Sequence, residues 1–187
     1  MAVIFDLEFT AWEGSLQRHW LAPGEFAEII QIGAVRIDPE SLSIVAEFDL
    51  LVRPRINPRL SRYIQELTGI TDEALAERGV DFREAAEAFL SFVAGDLTLA
   101  FGADNLMFAE NARLHGIGLP PLPRFENLRP WFNANGIATK GLHSCDVGPL
   151  LGTPFEGHKH NALHDSRSLA AGVRTLIARG ASNILRA

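Results

Sequence analysis

The sequence predicts a mixed α/β domain, a single sheet flanked by helices, with three antiparallel strands first and parallel strands after them. Two patterns predict it. Residues 2–52 hold three apolar strand runs, the last two joined by a tight turn, which is the signature of an antiparallel meander. Residues 60–178 then alternate amphipathic helical runs with short strand runs, the signature of strands joined through helices. With 187 residues, 47% of them hydrophobic and 21% charged, the chain is sized for one core, and a single domain over residues 1–187 is expected. These patterns do not dictate strand order.

The elements follow in order. Residues 2–9 form a buried strand, apolar except for Asp6 and Glu8. Residues 11–25 break the pattern with Trp12, Gly14, Trp20, Pro23 and Gly24, and form a long loop of the kind that often carries function. Residues 28–37 and 42–52 are two further strands around the turn Asp38-Pro39-Glu40-Ser41. Past Pro54 and Pro58 the periodicity becomes helical over residues 60–67, 72–78 and 82–94, the last behind Asp81 as its N-cap. Residues 97–101 are a short apolar strand and residues 104–115 a helix. Residues 120–123 make a proline loop and residues 125–128 a last short strand. A helix is expected over residues 142–151, disrupted at its end by Gly148-Pro149, and a final one over residues 161–178.

Composition narrows the function classes. A net charge of −6 argues against a protein that holds long duplex DNA by phosphate neutralisation, but leaves room for one that grips a few nucleotides through bound cations. No apolar run approaches the roughly 20 residues that span a bilayer, so no membrane partner is expected. The start has no basic residue, and Asp6 and Glu8 interrupt any signal-peptide core. One cysteine, Cys145, provides neither an internal disulfide nor a cysteine-based zinc site, and a cytoplasmic location is expected.

Three clusters carry chemistry. Asp6 and Glu8, two apart on a strand, project from one face, where their repulsion calls for a divalent cation such as Mg²⁺ or Mn²⁺. Taken singly, the pair also reads as a solvated strand end. Asp104 follows the strand at 97–101, where ligand crevices form in α/β sheets, although an Asp there also reads as a helix cap. In Gly157-His158-Lys159-His160-Asn161-Ala162-Leu163-His164-Asp165, a histidine on an approach loop precedes an acid fixed in a helix. A histidine can act as general base near neutral pH. Spacing alone does not choose between His158, His160 and His164.

In this order, Asp6-x-Glu8, Asp104 and His160-x-x-x-x-Asp165 resemble the DEDDh 3′→5′ exonuclease family, the DnaQ-like branch of the ribonuclease-H-like fold. Glu28 ahead of Ile29-Ile30-Gln31-Ile32-Gly33-Ala34-Val35, the turn Leu67-Thr68-Gly69-Ile70 and the segment His160–Ser166 match as well. Phe101-Gly102-Ala103-Asp104-Asn105 keeps little of its motif beyond the Asp, and Ser166 stands where Ala is frequent. The loop with Trp12 and Trp20 is similar to that of the branch trimming structured RNA ends.

The resemblance implies two divalent cations, Mg²⁺ or Mn²⁺. Asp6, Glu8 and Asp165 would hold one, and Asp6 with Asp104 the other. It selects His160 as the base, and implies release of nucleoside 5′-monophosphates from a single-stranded RNA or DNA 3′ end. It puts Phe9, Thr10 and Leu67 beside the terminal nucleotide, and some of the family are homodimers. Trp12 and Trp20 would stack bases if their loop closes over the site. Competing readings are a catalytically silent nucleic-acid-binding module of the same fold, a polymerase's proofreading subunit, and a phosphoesterase acting on small nucleotides.

Overall fold

The expected meander is present as β1 (Ala2–Phe9), β2 (Ile29–Ile37) and β3 (Ile44–Leu51). In the computed structural model, which describes residues 1–122 and 124–186, these strands are antiparallel, and β4 (Leu97–Ala100) and β5 (Phe125–Asn127) add to them in parallel. The order is β3-β2-β1-β4-β5, so β1 is central. Pro123 of the expected proline loop, and Ala187 at the end of the expected domain, lie outside the described residues.

The helices are α1 (Arg62–Thr68), α2 (Asp72–Arg78), α3 (Phe82–Val93), α4 (Asp104–Leu114), α5 (Leu128–Ala134), α6 (Ser144–Leu150) and α7 (Ala162–Ala178). Caps set most of the starts. Ser61, Thr71, Asp81, Asn127 and Asn161 each accept a backbone N–H of the first turn. Helix α5 was not expected. Its Pro130 falls in the first turn, where a missing N–H costs nothing, so the residue that reads as a breaker is compatible with a helix start. Helix α6 is shorter than expected and retains Pro149 next to its last residue.

Alternation along β1 sorts the core into two layers. Ala2 and Ile4 face a cluster built with Phe132, Val147, Leu169, Ala170 and Val173 of α5, α6 and α7. Val3, Phe5 and Leu7 face the other, with Phe82, Ala85, Phe89 and Phe108 of α3 and α4. Both faces are apolar, which is why β1 reads as nearly continuous hydrophobic sequence. Asp6 and Glu8 continue the row of Ala2 and Ile4, so they face α7. Among the described residues no helix is long and apolar enough to cross a membrane.

Candidate functional site

Asp6 and Glu8 are buried at 8% exposure each, near the carboxyl end of β1. Register pairs Asp6 with Gly33 and Glu8 with Gln31 on β2, and α7 docks on these two residues. A Cβ on Gly33 would lie 2.1 Å from the Leu163 backbone nitrogen, so only glycine lets the first turn of α7 come this close. Gln31 Oε1 accepts the Ala162 N–H at 3.0 Å, while its Nε2 donates to Asp49 at 2.7 Å. Ser166 Oγ donates to the Gly33 carbonyl at 3.0 Å. Asp165, one turn into α7 and 2% exposed, is thereby fixed beside the two β1 acids.

Asp104 lies just past the end of β4, the parallel neighbour of β1, whose carboxyl end opens on the same side. It is the first residue of α4 rather than its cap; Ala103 holds the cap position without a side-chain bond. The structure thus brings all four sequence-identified acids to one end of the central strands.

Burial and mutual repulsion shape their protonation. Asp6 and Glu8 are pushed well above the usual carboxylate range, first by burial and then by the neighbouring acids. Only Ser144, whose Oγ donates to Asp6 Oδ1 at 2.6 Å, pulls Asp6 the other way. Asp104 is raised to about 6 by burial, opposed by its own backbone N–H and by Arg129. Asp165 is raised to about 7 by burial, opposed by the His160 backbone N–H. Asp165 Oδ1 is buried with no hydrogen-bond partner. Buried acids short of donors, one oxygen orphaned among them, are a donor set for a hard divalent cation. Glu8, His160 and Asp165 each offer a ligand atom, all within 4.8 Å of one another.

Geometry separates the three histidines. The His158 backbone N–H donates to His164 Nδ1 at 3.0 Å, leaving those two outside the cavity wall, whereas His160 lines it. His160 holds a left-handed backbone, φ 58°, immediately ahead of the Asn161 cap. A non-glycine residue in that conformation carries backbone strain of the kind that clusters at functional sites. Burial and the neighbouring His143, whose ring lies edge-on at 5.2 Å, push the His160 imidazole below its ordinary value; Asp146 opposes them. A neutral ring, able to accept a proton, results at neutral pH.

The acids and His160 line one end of a cavity of about 940 Å³, with Phe9, Trp12, Trp20, Tyr63 and Leu67 on its walls. Trp20 is held in place: its ring packs edge-on against Phe9 at 5.4 Å, and its Nε1 donates to the Thr10 carbonyl at 2.9 Å. The structure does not bring the Thr10 side chain to the cavity. Its hydroxyl donates to Phe26 O at 2.6 Å and accepts the Glu28 N–H at 3.0 Å, joining the end of β1 to the start of β2.

Sequence reasoning missed Ser144, His143 and Arg129. The Arg129 guanidinium donates to the carbonyls of Phe101, Thr139 and Leu142 and stacks over the Phe101 ring at 4.1 Å. It ties the segment after β4, which leads to Asp104, to the loop ahead of Ser144. An arginine between a short strand and a proline gives no sign of this in sequence. Gly33, inside an apolar strand run, was the one available signal of a close helix approach.

The chain is similar to known exonucleases in sequence and in fold. The family model for the exonuclease RNase_T matches residues 3–172. The 3′-5′ exonuclease Snipper of Drosophila melanogaster is 26% identical over 206 residues, covering 96% of this chain and 70% of its own length. Human 3′-5′ exoribonuclease 1 is 26% identical over 179 residues, 89% of this chain, which spans about half (49%) of that relative. The nuclease domain of 3′hExo, a DEDDh family member solved bound to rAMP, superposes with a TM-score of 0.82 at 25% identity, covering 97% of this chain and 94% of that one.

Proposed function

We infer how this chain works from its belonging to the RNase_T exonuclease family, with residues 3–172 as the matching domain. It is a 3′→5′ exonuclease of the DEDDh type, a hydrolase that depends on divalent metal ions and binds nucleic acid. The observation that carries the finer reading is the convergence of four acids, three of them buried, and a neutral histidine at one end of an open cavity.

Asp6, Glu8 and Asp165 would hold one cation, and Asp6 with Asp104 a second, Mg²⁺ or Mn²⁺ in each case. Bound there, two such cations neutralise charge on the phosphoryl group and lower the pKa of the attacking water. The protein's own contribution is orientation and proton handling. His160, neutral and poised beside Glu8 and Asp165, accepts the proton of the attacking water. Ser144 fixes one oxygen of Asp6, so that Asp6 presents the other. Phe9 and Leu67 flank the terminal base without reading its identity, and Trp12 extends that wall. The products are a nucleoside 5′-monophosphate and a strand shorter by one, with a single-stranded 3′ end as the substrate.

The test is a 5′-labelled strand of RNA and one of DNA of the same sequence, each with Mg²⁺, Mn²⁺ or chelator. A ladder shortening from the 3′ end, lost with chelator and in Asp6→Ala, is expected, and the faster ladder identifies the preferred sugar. Strand binding without cleavage under either metal would replace this reading with a silent binding module.

A further inference from the structure

A second cavity, about 260 Å³, lies away from the acids and is lined by Arg53, Arg55, Asp81, Phe82, Arg83, His115 and Ile117. Three arginines around one hollow are unexpected in a chain with a net charge of −6. Among the described residues neither Arg53 nor Arg55 has a carboxylate within 4.0 Å, and Arg83 reaches Glu87 only at 3.9 Å. All three are exposed. Their charge is therefore largely unspent.

Two features show that the hollow is built. Arg83 sits in the first turn of the twelve-residue α3, where the helix dipole favours acids, and its placement adds a cation to a pole that is already positive. Asp81 caps that helix by accepting the Glu84 N–H at 3.0 Å, which engages the one acid on the lining. The segment bearing Arg55 is also held. Fully buried Glu28 accepts the backbone N–H groups of Arg55, Ile56 and Asn57. The His115 side chain, 8% exposed, lies 3.6 Å from Glu28 and stacks on Phe82 at 5.1 Å. Glu28 is in turn bonded through its backbone to Thr10, at the end of the strand that carries Asp6 and Glu8.

We propose that Arg53, Arg55, Arg83 and His115 form a phosphate cradle that holds a backbone phosphate of the substrate strand, upstream of the 3′ end bound at the acids. This rests on the exonuclease reading and adds to it a second point of attachment. Helix α4 runs from Asp104 at the acids to His115 at the cradle, and eleven helical residues span about 16 Å. At about 3.4 Å per stacked nucleotide, that is roughly five nucleotides. Strands of about 4 nucleotides would then occupy the acids alone, and strands of about 12 would reach both.

The experiment measures strand binding in chelator, which prevents cutting, across a salt series. Wild type is compared with the double variant Arg53→Gln, Arg55→Gln and with a charge-matched control, Arg174→Gln, Arg186→Gln, on another face. For the cradle variant we expect roughly tenfold weaker binding of the long strand and a salt slope shallower by about 0.7, the value for one lost phosphate contact on a single strand. Short-strand binding by the cradle variant, and binding of both lengths by the control, should match wild type, and inorganic phosphate should compete with the long strand in wild type and the control but not in the cradle variant. Unchanged long-strand binding, or equal losses for both lengths or both double variants, would overturn the cradle. A parallel wild-type cleavage assay with metal keeps the two readings apart, since a 3′ ladder with unaffected cradle variants removes only this one.

Discussion

At the residue scale, Asp6 and Asp165 oppose the stability of the metal-free fold while making the site. Each is buried among like charges, and Asp165 keeps an oxygen with no partner. Asp165→Asn removes one repelling charge at nearly constant volume. It should leave metal-free stability equal or higher by about 1 kcal/mol and lower strand cleavage by at least about a thousandfold. Thermal unfolding with chelator and the end-labelled assay with metal check the two halves; a destabilised, active variant would contradict the account. His160→Ala should keep strand affinity and slow cleavage by about 10²–10⁴, as measured in single turnover. Because the neutral imidazole is the working form and its pKa is lowered, any activity limb set by His160 should lie below the ordinary histidine value. A limb above it would assign the proton to another group.

At the scale of elements, the site depends on how closely α7 lies on β2. Gly33→Ala puts a methyl 2.1 Å from a backbone nitrogen that cannot move without lifting the helix. A loss of about 1–3 kcal/mol is expected, with cleavage falling further than stability because Asp165 moves with the helix. Arg129→Lys keeps the charge but cannot reproduce three donations to three carbonyls from one planar group. Weaker metal binding by calorimetry is the expected result, since both Asp104 and the loop ahead of Ser144 lose a tether. The elements themselves were largely legible: the cap at Asp81 and the nearly continuous apolar run of β1 mark their own places in the sequence. Helix α5 was hidden because proline in a first turn and proline in a loop look alike without the backbone.

At the scale of the whole molecule, metal binding and pH act together on stability. Asp104 and Asp165 titrate higher in the folded protein, about 6 and 7, than a carboxylate does in the unfolded chain, where Asp titrates near about 3.9. The metal-free fold thus binds more protons than the unfolded chain between those values, and its stability falls as pH rises from about 4 to about 7. Cations at the acids should offset this. At a hundredfold excess over Kd the gain is about 2.7 kcal/mol, roughly 5–10 °C for a chain of this size. The melting shift produced by Mg²⁺ should be larger at pH 8 than at pH 5, and an equal shift at both would separate metal binding from these acids. By itself the sequence determined the mixed α/β class, the places of most elements and the residues able to do the chemistry. The class and the elements follow from local periodicity and capping, and the residues from the order of their motifs, which resembles that of the DEDDh family. Tertiary structure alone decided the strand order, the placing of His160 on the cavity wall and of His158 and His164 off it, the contacts of Gly33, Ser144 and Arg129, and the turning of Thr10 away from the cavity. Each of these is a contact between segments far apart in the chain, and no local pattern of residues encodes which distant carbonyl or helix a side chain will meet.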